Sequence, residues 1–347
     1  MGLYLENGFC DIRQILNRNI PFNFVVGGRG TGKTFGALLD CLTGKRKFCL
    51  MRRTQSQLET IARLETNPFK SVIAHMGVDW DCIPVPAGKS IWAYYKTTYD
   101  SEGKPVYGEL LGYAVALSTI ANLRGFDMSD VDLLIYDEFI PETHERAIKH
   151  ESDAFFNAYE TINRNRELQG RKPLQVLCLA NANDFANPIF IGLGIVSIVE
   201  RMLKDGKQEY VNPQKGIAIY MLTDSPVSTQ KKQTALYRLT EGSAFHDMSV
   251  SNAFAGQNDP DVYSVNLQEY SPLVGIGELC VYKHKSTRLY FISSHYSGSI
   301  ARFSGDGIDM QRFFATHKGV LMAAMSGRCI YESHLCKALF LRYCGFE

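Results

Sequence analysis

Gly27, Gly32, Lys33 and Thr34 stand in the spacing G-x-x-x-x-G-K-T within FNFVVGGRGTGKTFGALLDCL, residues 22–42. A segment of this kind can hold a polyphosphate. Glycines at 27, 28, 30 and 32, with Arg29 and Thr31 between them, let successive backbone N–H groups turn toward one anion. A helix opening at Gly32 would add the favourable end of its dipole. Lys33 would then reach the β- and γ-phosphates of ATP, and the Thr34 hydroxyl would ligate Mg²⁺. The pattern carries this meaning only between a strand and a helix. Residues 23–26 are a short, mostly apolar run with β-branched residues, as in a buried parallel strand. After Thr34, apolar residues recur at helical spacing with no proline, which predicts a helix.

A metal-side acid and a means of activating water are also required for hydrolysis, and VDLLIYDEFIPE, residues 131–142, supplies both. Residues 133–136 form an apolar run ending in Asp137 and Glu138, the form of a Walker B strand. Asp137 would hold the Mg²⁺ hydration shell. Glu138 would orient or deprotonate the attacking water. About a hundred residues separate the two motifs, enough for an additional strand, and a glutamate directly follows the aspartate. Both features favour the ASCE division of P-loop proteins over GTPases and small kinases. The run NAND, residues 181–184, resembles a guanine-reading N-K-x-D but has alanine where the lysine belongs, so GTP specificity is rejected. Asn181 instead ends the apolar strand LQVLCLA, where a sensor of the γ-phosphate would sit.

The elements that position these groups read as alternating strands and helices over residues 1–225, the pattern of a mostly parallel sheet covered by helices. Strands are predicted at 24–27, 48–51, 132–136, 176–180 and 217–222, and helices at 55–64 and 154–163. Residues 90–117 interrupt the alternation. Two aromatic-rich runs there flank DSEGKP, which predicts a β-hairpin or small antiparallel insertion. Residues 226–257 are polar and read as a linker with short helices. From 258 to 347 the runs VYSVNLQEY and GELCVYKHKSTRLYFIS predict strands, and a helical tail is predicted from Gln311. This second, α+β domain contains Asp259, Asp261, Glu269, Glu278, Asp306, Asp309, Glu332 and Glu347, none in the middle of an apolar strand. A two-metal nuclease site needs converging carboxylates, so nuclease chemistry is not expected.

Composition sets outer bounds. The 347 residues are 45% hydrophobic and 21% charged, which is ordinary for a globular chain, and a net charge of +1 neither requires nor excludes nucleic acid. The nine cysteines include no C-x-x-C pair and several lie in apolar runs, which predicts free buried thiols in a reducing compartment. Neither a signal pattern nor a bilayer-length apolar run is legible, so a soluble intracellular protein is expected.

The ordered set FVVGGRGTGKT, FCLMRRT, LSTIANLRGF, LLIYDEFI, INRNRE and LCLANA resembles the genome-packaging ATPases of tailed phages, in particular the small ATPases of phi29-like podophages. The resemblance covers about residues 20–190 and implies an ASCE ATPase domain, a linker and a degenerate RNase H-like C-terminal domain. It implies an ATP- and Mg²⁺-dependent homo-oligomeric ring, pentameric in that family, that drives double-stranded DNA through the portal protein of a procapsid. A packaging RNA is a further partner it allows. The protein would sit in the host cytoplasm and transiently at the portal vertex. By resemblance Arg164 is an arginine finger acting on a neighbour's ATP, and Arg124 is a second basic residue acting in trans. In FFNAYETINRNRE, Phe155, Tyr159, Ile162 and Arg166 share one helix face, and Arg164 points about 200° away from Ile162. Arg166 replaces Arg164 as the finger if the helix ends early. Arg52 and Arg53 are expected on a solvated turn. Two rival readings remain: a large terminase with an active nuclease, and a P-loop ATPase that is not a motor.

Overall fold

The structure is a computed structural model, and it describes the chain except Met1, Arg124, Thr143, His144, residues 223–225, Lys232, residues 244–245, residues 247–258 and Glu347. Two compact units divide the chain, Met1–Ala255 and Gly256–Glu347, so residues 226–255 of the expected linker group with the first unit. Many of them lie outside the described residues.

Nine strands of the first unit form one sheet: β1 (Phe22–Gly27), β2 (Phe48–Arg52), β3 (Asp81–Gly88), β4 (Ile91–Tyr99), β5 (Pro105–Ala116), β6 (Leu133–Asp137), β7 (Gln175–Ala180), β8 (Glu209–Asn212) and β9 (Ile217–Leu222). Their order is β3-β4-β5-β2-β6-β7-β1-β9-β8. The six strands from β5 to β9 run parallel, and β3, β4 and β8 add antiparallel edges. Between the P-loop strand β1 and the Walker B strand β6 lies β7, the additional strand of the ASCE arrangement. It follows β6 in the chain. The hundred residues between the two motifs hold β2 and the β3–β5 insertion instead.

Burial explains the sequence of each strand. Leu133, Leu134, Ile135 and Tyr136 are all buried because β6 is flanked by β2 and β7 and covered on both faces. Pro84 and Pro86 sit in β3, an edge strand where a missing N–H costs no ladder bond. One face of the sheet packs on α1 (Ile12–Asn17), α2 (Lys33–Thr43), α3 (Gln55–Ile61) and α4 (Phe69–Met76). There Phe48, Phe69 and Tyr94 form an aromatic cluster with centroids 5.0–5.8 Å apart, and the Tyr94 hydroxyl donates to Ile61 O. The other face packs on α5 (Glu151–Asn163) and the helix Pro188–Gly192, with Tyr136 stacked on Phe155 and Phe24 edge-on to Phe139 and Phe190.

The aromatic-rich insertion is a hairpin, β4–β5, turned by Asp100, whose Oδ1 accepts from Glu102 N and Lys104 N, with Gly103 at φ 77°. Its second strand does more than predicted. Residues 112–116 of β5 pair parallel with β2 and so enter the central sheet. Gly112 makes this approach possible, since a Cβ there would lie 2.4 Å from Phe48 O.

In the second unit a five-stranded sheet has the order β13-β10-β11-β12-β14. Its strands are β10 (Tyr270–Ile276), β11 (Leu279–His284), β12 (Tyr290–Ser293), β13 (Arg302–Phe303) and β14 (Cys329–Tyr331), accompanied by helices Gly307–Thr316, Lys318–Met325 and His334–Cys344. Two expectations are corrected. Residues 262–269 are not a strand: apart from one bridge at Val262 they are irregular and end in a 3-10 turn, Leu267–Glu269. The helical tail begins at Gly307, where Asp306 caps the helix, and β14 interrupts it because residues 329–331 are needed beside β12. All nine cysteines are free and buried. Among the described residues no helix is long and apolar enough to cross a membrane.

Gly112→Ala should lower the unfolding free energy by about 1–3 kcal/mol, because the clash is with backbone and Phe48 cannot move without shifting β2. Urea denaturation followed by tryptophan fluorescence checks this, since Trp92 in β4 pairs with Ala114.

Candidate nucleotide site

Parallel register brings four strand ends to one edge of the sheet. Val26 pairs with Ala180, Leu179 with Asp137, and Tyr136 with Met51, so the residues that follow β1, β2, β6 and β7 emerge side by side. Ligands of open α/β sheets bind at this carboxyl edge. A cleft there is lined by residues 29–35 of the loop and helix start, by Asp137, Glu138 and Glu142, and by Ala180 and Asn181.

The loop after β1 is shaped for close approach. Gly30 and Gly32 have φ of 71° and 82°, values that side-chain-bearing residues rarely adopt, and Gly32 starts α2 with no side chain over the helix N-terminus. Gly27 packs against Leu222, where a Cβ would come within 2.5 Å of the leucine Cβ. Lys33 is buried, with Nζ donating to Gly27 O and Gly28 O, both at 2.8 Å. Thr31 Oγ1 donates to Gly28 O. Arg29 is paired with Glu142, which joins this loop to the one following β6.

At the end of β6 the Thr34 hydroxyl donates to Asp137 Oδ1 at 3.0 Å. A hydroxyl and a carboxylate are hard oxygen donors, and the buried Asp137 Oδ2 is held only by an ion pair with Arg52. That donor set suits Mg²⁺, which keeps most of its waters and takes only one or two protein oxygens beside phosphates. The chain then turns at Glu138. Asp137 and Phe139 on either side are both buried, and Glu138 adopts φ 59°, which throws its side chain outward, 52% exposed. Left-handed conformations in non-glycine residues cost roughly 1–3 kcal/mol and persist where surrounding structure enforces them.

Arg52 corrects the expectation of a solvated turn. From the end of β2 its guanidinium lies 2.9 Å from Asp137 Oδ2 and 2.7 Å from Glu138 Oε2, and only 12% of its side chain is exposed. Arg53 is fully buried and pairs with Glu151 and Glu145. Nothing local in RRT announces this, because the acids lie 85 to 98 residues further on in the chain. The repeated arginine at a strand end was the available signal: neighbours on an extended strand face opposite ways, so the two cannot share one solvated surface.

Arg164 lies elsewhere. Helix α5 leaves the carboxyl end of β6 and returns to the start of β7, so its last residue reaches the opposite edge of the sheet. There Arg164 donates to Phe126 O at 2.8 Å and sits 3.4 Å from Asp127, both upstream of β6. The helical-wheel placement does not apply, because α5 ends at Asn163 and Arg164 caps it at φ 44°. Arg166 is corrected as the alternative finger: it is 5% exposed and its guanidinium donates to Ser129 O and Val131 O. Arg124 lies outside the described residues.

The sequence pattern of the Podovirus DNA encapsidation protein (Gp16) family matches residues 92–269, just over half of the chain. The chain belongs to that family. The matched stretch holds Asp137, Glu138, Arg164 and Asn181 and begins after the P-loop. The DNA packaging protein of Bacillus phage B103 is 26% identical over 248 residues, 70% of this chain and 66% of that protein, so the chain spans just under two thirds of its length. The DNA packaging protein of Bacillus phage phi29 is 25% identical over 255 residues, 72% of this chain and 67% of that protein. A solved chain of the phi-28 gp11 DNA packaging motor superposes with a TM-score of 0.65 at 19% identity over 99% of both chains, a likeness of fold.

Arg52→Ala should leave Asp137 short of its compensating charge and destabilise the fold by about 1.5–3 kcal/mol. Mg²⁺ should recover part of that loss. The thermal midpoint of the variant is expected to rise more on adding Mg²⁺ than that of the wild type.

Proposed function

We propose that the chain is an ATP-driven motor that moves double-stranded DNA into a procapsid through its portal, working as a homo-oligomeric, pentameric ring. One observation carries the reading: in a member of a DNA-encapsidation family, the threonine that follows the buried P-loop lysine meets a buried aspartate at 3.0 Å, with an outward-facing glutamate, paired to Arg52, next to it.

The roles follow from chemistry. Loop N–H groups and Lys33 bind and orient the phosphates of ATP, and Gly27–Thr34 is the segment that does so. Thr34 and Asp137 would hold Mg²⁺, which when bound neutralises charge on the phosphates. Glu138 orients the attacking water and accepts its proton, for which its outward placement suits it. Asn181, which lines the cleft at the end of the strand between β1 and β6, responds to the γ-phosphate in this reading. Arg29, paired with Glu142 across the cleft, is an additional phosphate ligand. Arg164 and Arg124 act on a neighbour's ATP. Arg164 sits on the edge away from its own P-loop, which supports action in trans over action in cis.

The second unit is read as having no nuclease activity. Several of its acids hold local structure. Asp259 and Asp261 share Lys337, Asp306 caps a helix, and Asp309 accepts from Ser304. Burial alone would raise the Glu332 carboxyl, but hydrogen bonds from Ser294, Ser293 and His295 hold it below the usual carboxylate range. Among the described residues no three His, Cys, Asp or Glu are grouped to hold a metal.

ATP hydrolysis should rise when procapsids and double-stranded DNA are both present, and the DNA should become nuclease-resistant. Hydrolysis indifferent to both would favour a P-loop ATPase that is not a motor. Metal-dependent nicking of supercoiled plasmid, abolished by changing an acid in 258–347, would favour a large terminase.

Arginine fingers contribute on the order of 10³–10⁵ in turnover in other phosphoryl-transfer enzymes. Arg164→Ala should therefore keep ATP binding and lose most stimulated hydrolysis. Mixing it with Lys33→Ala subunits should restore activity, because some interfaces then pair an intact lysine with an intact arginine. A mixture that assembles yet recovers nothing would place Arg164 outside a neighbour's site.

A further inference from the structure

Behind the nucleotide site, on the opposite face of the same two strands, lies a second charged cluster. Arg53 is 0% exposed, Glu151 2% and Tyr136 0%. Arg53 Nε and an Nη atom donate to the two oxygens of Glu151 at 2.8 and 2.9 Å, a bidentate pair, and its other Nη donates to Glu145 Oε2 at 2.7 Å. The Tyr136 hydroxyl donates to Glu151 Oε1 at 3.0 Å. Glu145 also accepts from Gln57 Nε2 at 2.7 Å and from Glu142 N at 3.2 Å.

Stability is a poor reason for such a cluster. Buried ion pairs often do no better than apolar residues of similar volume, because desolvation offsets their attraction. Burial alone would lower the affinity of Arg53 for its proton, yet the Glu151 carboxylate holds it above arginine's ordinary value. Burial, and then the same carboxylate, push the Tyr136 phenol far above its usual range, so that it keeps the proton it donates to Glu151.

The location of the cluster gives it a role. We propose that Arg53, Glu151 and Tyr136 are positioning residues for the nucleotide site, locking the ends of β2 and β6 so that Arg52 and Asp137 are held together on the other face. Arg53 directly follows Arg52, and Tyr136 directly precedes Asp137. Side chains alternate across an extended strand, so fixing one member of each pair aims the other. Three further anchors come from the same cluster: the first residue of α5, the Thr54–Gln57 capping box of α3 through Gln57, and the loop after β6 through Glu145. That loop carries Glu142, the partner of Arg29 in the phosphate loop. The inference rests on the nucleotide reading of the cleft. It adds that the geometry of the metal-side acid is set from behind, by residues that touch neither metal nor nucleotide.

Glu151→Gln keeps the shape but removes the charge, and Tyr136→Phe removes one hydrogen bond. In the full chain, ATP affinity is measured with and without Mg²⁺, together with kcat, KM and the thermal midpoint. Glu151→Gln should cut kcat about 10-fold and shrink the Mg²⁺ enhancement of ATP binding by a similar factor, with metal-free ATP affinity within about 3-fold. Tyr136→Phe should shift the same two quantities in the same direction by about 3-fold, and it serves alone if Glu151→Gln does not fold. A merely structural role predicts a lower midpoint with unchanged Mg²⁺ enhancement and unchanged turnover per folded chain, and that result would overturn the proposal. The binding measurement needs no turnover, so a wild type that binds Mg²⁺ and ATP but hydrolyses nothing would count against the proposed function and leave the cluster testable.

Discussion

Where β2 and β6 end side by side, six charged side chains meet, and their charge has to be balanced within a few ångströms. Two consecutive arginines do it, one on each face of the sheet. Arg52 compensates Asp137 and Glu138 at the cleft, and Arg53 compensates Glu151 and Glu145 behind it. Asp137 can therefore stay buried beside Thr34, and Glu138 can stand outward on a strained turn without leaving an uncompensated carboxylate in the core. The P-loop supplies its own dipoles and lysine. The acid side of the site depends on this pair of arginines.

Much of the site was legible because its signals are local. The glycines, Lys33 and Thr34 lie within eight residues, and Asp137 follows four apolar ones, so strand, turn and helix could be read from spacing. That these strands form a mostly parallel sheet followed from the same alternation. What failed was long-range. Whether an arginine after a strand is solvated depends on acids some 85 to 98 residues away, and no window over FCLMRRT contains them. Helical-wheel placement of Arg164 failed by a single residue, since the helix stops at Asn163. The strand at 81–88 was missed because its prolines speak against a strand unless the edge position is known. β5 was read as one arm of a hairpin because its pairing with β2 leaves no mark in the segment itself.

The second unit shows the converse. Its acids are numerous enough to invite a metal-site reading, yet their described contacts are mainly to a helix cap, to serines and to basic side chains. Carboxylates suit a metal where they stand beside other hard oxygen donors, as Asp137 does beside the Thr34 hydroxyl in the first unit. Those of the second unit that have described partners meet serines, a helix end or basic side chains. The two units thus use the same residue type in opposite ways.

The account's central claim is a division of labour at the cleft, with Lys33 binding phosphate and Glu138 acting only on water. Equilibrium binding of ATP in the presence of Mg²⁺, followed by analysis of the bound nucleotide, tests it directly. Lys33→Ala should lose affinity, because a buried ammonium that can bind phosphate is gone. Glu138→Gln keeps shape and hydrogen bonding but loses the base, so it should bind as the wild type does and retain the nucleotide as ATP. Equal loss of affinity in both variants, or ADP accumulating on Glu138→Gln at the wild-type rate, would contradict it.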